Sequence, residues 1–546
     1  MNGMEKRALL AVVISLAILI VWQMVFLKKG APPPQKTEAA SQPETSASSH
    51  SSQAPQSEAK KPSLLPSIQT ETKTKVDEEE VVIETDLYRA IFSTHGAALK
   101  SWKLKNYTTQ VGKEGEWIEL VTQKNPSLYP FSLYFSDKNF EELKDLEYEI
   151  QEQTPTHISF RYRSASSGGV TIERRYQLDP QKYHFEHETK IWLRKNNFKG
   201  DVLVGTSEGF LEAHKENILT SPYADVRSFI FHAQNKTSRK KISALKEESE
   251  IRSVTHWAGV ENRYFLTALV NRSESIKPYL IMSGAQPGAE MIALQYPFYK
   301  ESQKDFFEFK IEGYLGPKKV EFLKEAGNNL EEAIDFGIFS ILCIPLLKVM
   351  NFFYLFVRNY GVAILLLTLL IRVLFHPLIK KSYVSMREMQ RIQPQIAKVK
   401  EKFKDNPQQM NKEVMDLMKA NKVNPLGGCL PLLIQMPIFF ALYRVLYNAI
   451  ELYHAPFFGW IRDLSSKDPY YVMPILMMVA MFFQQKMTPS TATDPAQQKM
   501  MQFMPVLFGF FMIALPSGLV IYILFSTVLQ ITSQYLVNRD LIKKGL

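Results

Sequence analysis

Cysteine is nearly absent from this chain: 546 residues hold two, Cys343 and Cys429, each in apolar surroundings. Two isolated thiols build neither a disulfide framework nor a thiolate metal site. The histidines of the middle region, His95, His184, His187, His214, His232 and His256, also lack metal-ligand spacing. His184 and His187 would point to opposite faces of a strand. A phosphate-binding glycine loop ending in Gly-Lys-Ser or Gly-Lys-Thr is missing, which excludes ATP as the driving force. There is no Gly-x-Ser-x-Gly elbow, and His376, beside Pro377, has no nucleophile partner in the pattern. Neither a cofactor nor a metal is expected. The most telling absence is acidic: the five apolar stretches after residue 360 contain no Asp or Glu at all. An ion pair inside that region is excluded by composition. So is the usual intramembrane carboxylate of a proton- or sodium-coupled transporter.

What is present divides sharply. Apolar residues gather in the first 30 positions and again after about Gly337, and the stretch between reads as a soluble protein. Ala8–Leu27 is uncharged, about 30 Å long as a helix, and lacks a small-x-small cleavage site, so residues 1–29 are expected to be a retained anchor. Residues 30–75, rich in Pro, Ser, Gln and Thr, read as a disordered tether. Residues 76–317 show short alternating runs such as His184–Trp192, separated by Gly, Pro, Asn and Asp, which predicts a large antiparallel β-sandwich. A sandwich of this kind serves as a scaffold or docking domain, or binds sugar or peptide in a groove. Leu323, Ala326, Leu330, Ala333 and Ile334 then recur at helical spacing, predicting an amphipathic helix within 318–350. It either lies in the membrane interface or rests on the sandwich. Ile338–Leu347, interrupted by Pro345, is too short to cross a bilayer alone and reads as interfacial or re-entrant.

Residues 351–546 carry five further predicted spans: one over Gly361–Phe375, then Leu426–Ile450, Tyr470–Met487, Met500–Pro516 and Ser517–Val537. Between the first two of these, residues 380–424 carry eleven Lys or Arg against five Asp or Glu, which places that loop in the cytoplasm. Within it Met389, Ile392, Ile396, Val399 and Phe403 form one apolar stripe, and Met410, Val414 and Leu417 another. Asp405-Asn406-Pro407 stands between them as a cap, predicting a helical hairpin with basic outer faces. That surface suits anionic lipid headgroups, ribosomal RNA or an acidic targeting protein, or is simply a solvated basic loop.

Arg372 is the residue that demands an explanation. It lies eight positions, or about 12 Å of helix, before Lys380 in an otherwise apolar run. Burying such a charge costs at least about 2.5–3.5 kcal/mol. With no acid available, its partners must be water, backbone carbonyls, hydroxyls or amides. Thr368, one turn earlier, Gln435, Ser526 and Gln530 are the candidates, lining a hydrated cavity. Snorkelling to the headgroups is the alternative, and it is the better account for Arg444 near an outer end. Nine methionines crowd 473–512, either as core filler or as an adaptable contact surface.

Val423-Asn424-Pro425-Leu426-Gly427-Gly428-Cys429 followed by Pro431–Phe439, Asp468-Pro469-Tyr470-Tyr471, Phe482–Met487 and Pro516–Val520 resemble the signatures of YidC membrane-protein insertases. The resemblance is strong over 340–546 and looser over the anchor and sandwich. It implies a bacterial inner-membrane protein with a large periplasmic antiparallel β-sandwich, while the span count and loop charges predict six helices with both termini cytoplasmic. Such a protein inserts and folds nascent membrane proteins, alone or beside the Sec translocon. By the same resemblance the basic hairpin meets the ribosome and the signal-recognition-particle receptor. Arg372 falls on the family's groove arginine, and Thr368, Gln435, Phe439 and Tyr522 fall on positions near the groove or client path. Tyr522-Ile523 departs from the paired tyrosines of some relatives. A solute transporter or channel, or a structural envelope protein with a sugar-binding sandwich, are the competing readings.

Overall fold

The computed structural model describes residues 78–543 except 113–115, 138–139, 141–145, 165–168, 194–199, 208–226, 246–247, 285–289, 299–304, 422, 424–429 and 489–494. The expected anchor and tether, 1–29 and 30–75, lie outside the described residues, as does most of the Val423–Cys429 signature. The chain divides into two compact units. One contains Val384–Gly428, and the other contains Leu64–Tyr383 with Cys429–Leu546.

The larger unit begins with the predicted sandwich. Its described strands run from Glu80–Glu84 to Phe306–Pro317 and form three antiparallel sheets of four, five and nine strands. The alternation in His184–Leu193 decides its placement. Phe185, His187, Thr189 and Ile191 are buried, whereas Glu186, Glu188 and Lys190 face outward, where Lys190 pairs with Glu188 and Glu308. This strand sits near the middle of the nine-stranded sheet, between Val170–Leu178 and Phe306–Pro317. Between the layers lies a fully buried cation, Arg174. It donates to the carbonyls of Gly96 and Phe131 at 2.5 Å each and to His187 Nε2 at 3.1 Å. Thr189 Oγ1 is 2.9 Å from the same nitrogen, and Nδ1 lies 3.1 Å from the Arg175 carbonyl, so the neutral Nδ1–H tautomer satisfies the ring. Burial, and then the Arg174 charge, holds this imidazole well below its usual range.

The segment after the last strand departs from the continuous helix predicted for it. Helix α1 (Val320–Ala326) ends at Gly327 with φ +73°. Asn328 and Asn329 are also left-handed, and a 3-10 turn follows over Leu330–Ala333. Three consecutive residues with positive φ break the helical ladder. Leu323, Ala326, Leu330 and Ala333 are nonetheless fully buried. The sandwich holds the segment by donating to its carbonyls: Trp257 Nε1 to Asn328, Arg272 to Ala326, and Arg239 to Ala333. The apolar face is thus covered by protein.

Helix α2 (Ser340–Val357) extends the apolar run Ile338–Leu347 well past the predicted end and continues through Pro345. The backbone bond lost at proline is offset by Cys343, Leu347 and Met350, all buried. Its other side leaves Ile341, Phe352, Leu355 and Phe356 exposed. Helix α3 (Tyr360–Lys402) follows, N-capped by Asn359 through a 3.0 Å bond to the Val362 N–H. It joins the predicted span and the first hairpin arm in one helix.

After α4 (Pro407–Ala420), helices α5 (Leu430–Asn448), α6 (Val472–Met487), α7 (Pro495–Met512) and α8 (Ser517–Lys543) overlap the remaining apolar stretches, with ends displaced by up to six residues. Among the described residues, three helical segments are long and apolar enough to cross a membrane: Gly337–Val357, Tyr360–Lys402 and Ser517–Asp540. Val472–Met487 and Phe503–Met512 are shorter apolar helices.

In the smaller unit, Asn406 caps α4 by accepting from the Gln409 N–H at 3.2 Å, with Pro407 at the first helical position. Met389, Ile392 and Ile396 form the seam with Val414, Leu417 and Met418. Val423, read as part of the span signature, also belongs to this seam.

Candidate functional site

Arg372 leaves α3 and reaches α8. One guanidinium nitrogen, Nη2, donates to the Ser526 carbonyl at 3.0 Å, to Ser526 Oγ at 2.7 Å and to Gln530 Oε1 at 3.2 Å. Ser526 and Gln530 lie four apart, so one turn of α8 presents both to the same point. The Ser526 carbonyl accepts through its second lone pair, since a helical carbonyl uses only one within the ladder. All three acceptors are neutral. Among the described residues no carboxylate pairs with Arg372, so the charge is hydrogen-bonded but not neutralised. The side chain is half-buried, and Nη1 and Nε bond to no described protein atom.

The other predicted residues divide. Tyr522, one turn before Ser526, is buried beside Arg372, with its hydroxyl facing Gln435 and Ser526. The ring of Phe439 lies 6.5 Å from that of Tyr522. Helices α3, α5 and α8 therefore bring Arg372, Gln435, Phe439, Tyr522, Ser526 and Gln530 into one neighbourhood. Thr368 behaves differently. It is buried, and its hydroxyl donates back to the Ile364 carbonyl at 2.6 Å, so it is spent within its own helix.

Sequence reasoning missed Tyr383, whose buried hydroxyl neighbours Arg372. The signal was available: eleven residues are just over three helical turns, which returns Tyr383 to the face of Arg372. Towards the same end of the bundle Lys380 lies 3.9 Å from Asp540. Arg444 does not rely on snorkelling alone. It pairs with Asp335 at 3.2 Å, while Asn448 donates to the Asp335 carbonyl. Arg263 of the sandwich donates to the Tyr447 carbonyl at 2.6 Å and stacks over the Tyr447 ring. These contacts fasten the sandwich side to the C-terminal end of α5.

Both ends of α2 and its middle contact the C-terminal part of α5 or the loop that follows it. Asp335 before it contacts Arg444, Asn351 faces Glu451, and Asn359 after it donates to the Phe457 carbonyl at 3.2 Å. A helix of 18 residues standing upright would separate its ends by about 27 Å along the bundle.

Among the described residues no group of three or more His, Cys, Asp or Glu is arranged to hold a metal ion.

Two family models match the chain: the 60Kd inner membrane protein over residues 352–544 and the YidC periplasmic domain over residues 80–349. The membrane protein insertase YidC of Syntrophus aciditrophicus is 36% identical over 98% of this chain and 100% of its own length. That of Geotalea uraniireducens is 37% identical, with 98% and 100% covered. A solved structure of an active YidC insertase with its first transmembrane domain resolved aligns at 19% identity and TM-score 0.36, covering 85% of this chain and 93% of that one.

Proposed function

This chain belongs to the YidC family of membrane protein insertases, and from that premise we propose that it inserts clients through a hydrated groove centred on Arg372. The observation that carries this reading is the environment of that guanidinium: three neutral acceptors on α8, two nitrogens left over, and no acid among its described neighbours. A charge in this position keeps water with it, because leaving it dry costs several kcal/mol. The groove then presents an unneutralised cation to the polar or acidic segment of an entering client. Gln435, Tyr522 and Ser526 supply exchangeable hydrogen bonds, and Phe439 an apolar wall. Shortening the polar path is the whole of the catalysis required. The driving force is the transfer of the client's apolar helix into lipid.

The proposed topology has six spans, with residues 8–27 as the first and α3, α5, α6, α7 and α8 as the rest. Both termini and the basic hairpin are cytoplasmic, and the sandwich is periplasmic. Helix α2 lies along the outer face and dips its exposed Ile341, Phe352, Leu355 and Phe356 into the outer leaflet. Contacts of its ends and middle with the C-terminal part of α5 and the loop after it support that placement. Nascent membrane proteins are the clients. The Sec translocon is a partner, and the basic hairpin is offered to the ribosome, the signal-recognition-particle receptor and anionic lipids.

The direct test is site-specific crosslinking from position 372 to a ribosome-stalled nascent chain, paired with water-accessibility labelling at the same depth. Crosslinks to the polar client segment together with labelling are expected. A dry, lipid-facing position 372 refutes the groove. Solute flux through the purified protein in liposomes would favour a transporter instead.

A further inference from the structure

The junction between sandwich and bundle seals one oxygen of a carboxyl that the insertion mechanism does not use. Glu451 follows α5 in the short 3-10 turn Ile450–Leu452. Its carboxyl meets the Asn351 side chain of α2 and its own backbone N–H. Its Oε1 is sealed from solvent without a hydrogen-bond partner, and so is Asn351 Oδ1. Both of these sealed oxygens are thus acceptors without a donor. A proton on the carboxyl supplies one.

Every wall of this pocket belongs to a different element. Tyr107 comes from the strand Ala98–Thr108, Lys319 and Glu321 from the end of the sandwich and the start of α1, Asn351 from α2, and Tyr360 from the start of α3. Of the charged groups that face Glu451, Glu321 opposes its ionisation and Lys319 favours it. Desolvation outweighs both, and the carboxyl titrates above its ordinary range. Next to it in sequence, Tyr453 donates to the Thr108 carbonyl at 3.0 Å, and His454 Nδ1 lies 3.4 Å from Thr108 Oγ1. The turn bearing Glu451 is thus part of the seam that ties the sandwich to the helices.

We propose that Glu451 is a proton-operated latch: protonated, it fastens the outer loop to α2, α3 and the sandwich, and its ionisation loosens that seam. The sign follows from linkage. A carboxyl that binds its proton more tightly in the folded state contributes stability that is complete below the unfolded value near 4.5 and is lost as pH rises through the folded value. The seam is therefore tightest in acid and opens towards alkali.

Hydrogen exchange on the full-length protein in nanodiscs tests this, with rates corrected for intrinsic pH dependence. In the wild type, protection of the amides of Leu452 and Tyr453, which bond to the Ala449 and Ile450 carbonyls, should fall by up to about tenfold per pH unit between the ordinary carboxyl value and the raised folded one, and level off above it. Glu451→Gln, which keeps a donor and carries no charge, should hold its protection flat over the same range. Asn351→Asp places a second carboxyl in the pocket and should move the opening to higher pH. Equal pH dependence in wild type and Glu451→Gln overturns the proposal, as does an Asn351→Asp midpoint identical to that of the wild type.

Discussion

Arg372→Met separates the two roles a groove arginine can have. The side chain keeps its length and loses its charge. In the wild type the cost of placing the cation at this depth, about 2.5–3.5 kcal/mol, is offset by the two protons of one charged nitrogen, shared among three acceptors, each full bond contributing about 1.5–3 kcal/mol before solvent competition. The residue is half-buried and its acceptors are neutral. Water therefore competes for all three bonds, and the two sides nearly cancel. Ser526 Oγ and Gln530 Oε1 can turn to water when the guanidinium leaves. Stability should consequently change by less than about 1 kcal/mol, a melting shift of no more than about 2–4 °C. Insertion should respond far more. A client carboxylate that loses one charge-assisted bond loses about 1.5–3 kcal/mol, or roughly tenfold to a hundredfold in rate. The assay is insertion of a single-span client into proteoliposomes, run once with an acidic outer tail and once with a neutral one. The acidic client should slow by that factor and the neutral client much less. Because all three bonds converge on one nitrogen, Arg372→Lys should retain most activity. Equal insertion of both clients by Arg372→Met refutes the argument. So does a large loss of stability, which would make the arginine a structural strut.

Three other outcomes can be checked by thermal or denaturant unfolding. Arg174→Met removes the donor that the Gly96 and Phe131 carbonyls share with His187. Stranding buried acceptors should cost about 3–5 kcal/mol, and a loss under about 1 kcal/mol would show the site to be wet. Gly361→Ala puts a Cβ 2.0 Å from Phe457 Cδ2. Unless that ring swings away, the overpacking should destabilise by about 1–3 kcal/mol, and a neutral effect would mean a loosely packed outer loop. His187, held neutral by burial and by Arg174, should weaken the fold as pH drops below the unfolded histidine value of about 6.5. That is the opposite direction to Glu451. His187→Gln should remove its share of the acid sensitivity, and an unchanged acid limb would contradict the assignment.

How much of this was legible in advance varied with the range of the interaction. Strand alternation in His184–Leu193, the Asn406-Pro407 cap and the stripe Met389, Ile392, Ile396 are local periodicities, and each led to the observed element. The partners of Arg372 were legible through a composition rule. With no acid in the later spans, the partners of Arg372 had to be neutral, and Ser526 and Gln530 were among the few available. Thr368 satisfied the same spacing argument yet turned back to its own helix. A hydroxyl one turn away has a backbone carbonyl closer than any other acceptor.

What the chain determined alone was which residues are apolar, at which period they recur, and where charge is missing. These are properties of neighbours along the backbone. Three features were decided only by tertiary structure: the break at Gly327–Asn329, the run of α2 through Pro345, and the sealing of Glu451 Oε1. In each, contacts from residues distant in sequence override local preference. The sandwich captures carbonyls that a continuous helix would have used. Packing of Cys343, Leu347 and Met350 compensates for a proline. Residues of the sandwich, α2 and α3 enclose a carboxyl that its own sequence neighbours would have left in water. Long-range packing free energy of a few kcal/mol exceeds most single-residue propensities, and it has no signature within a window of twenty residues.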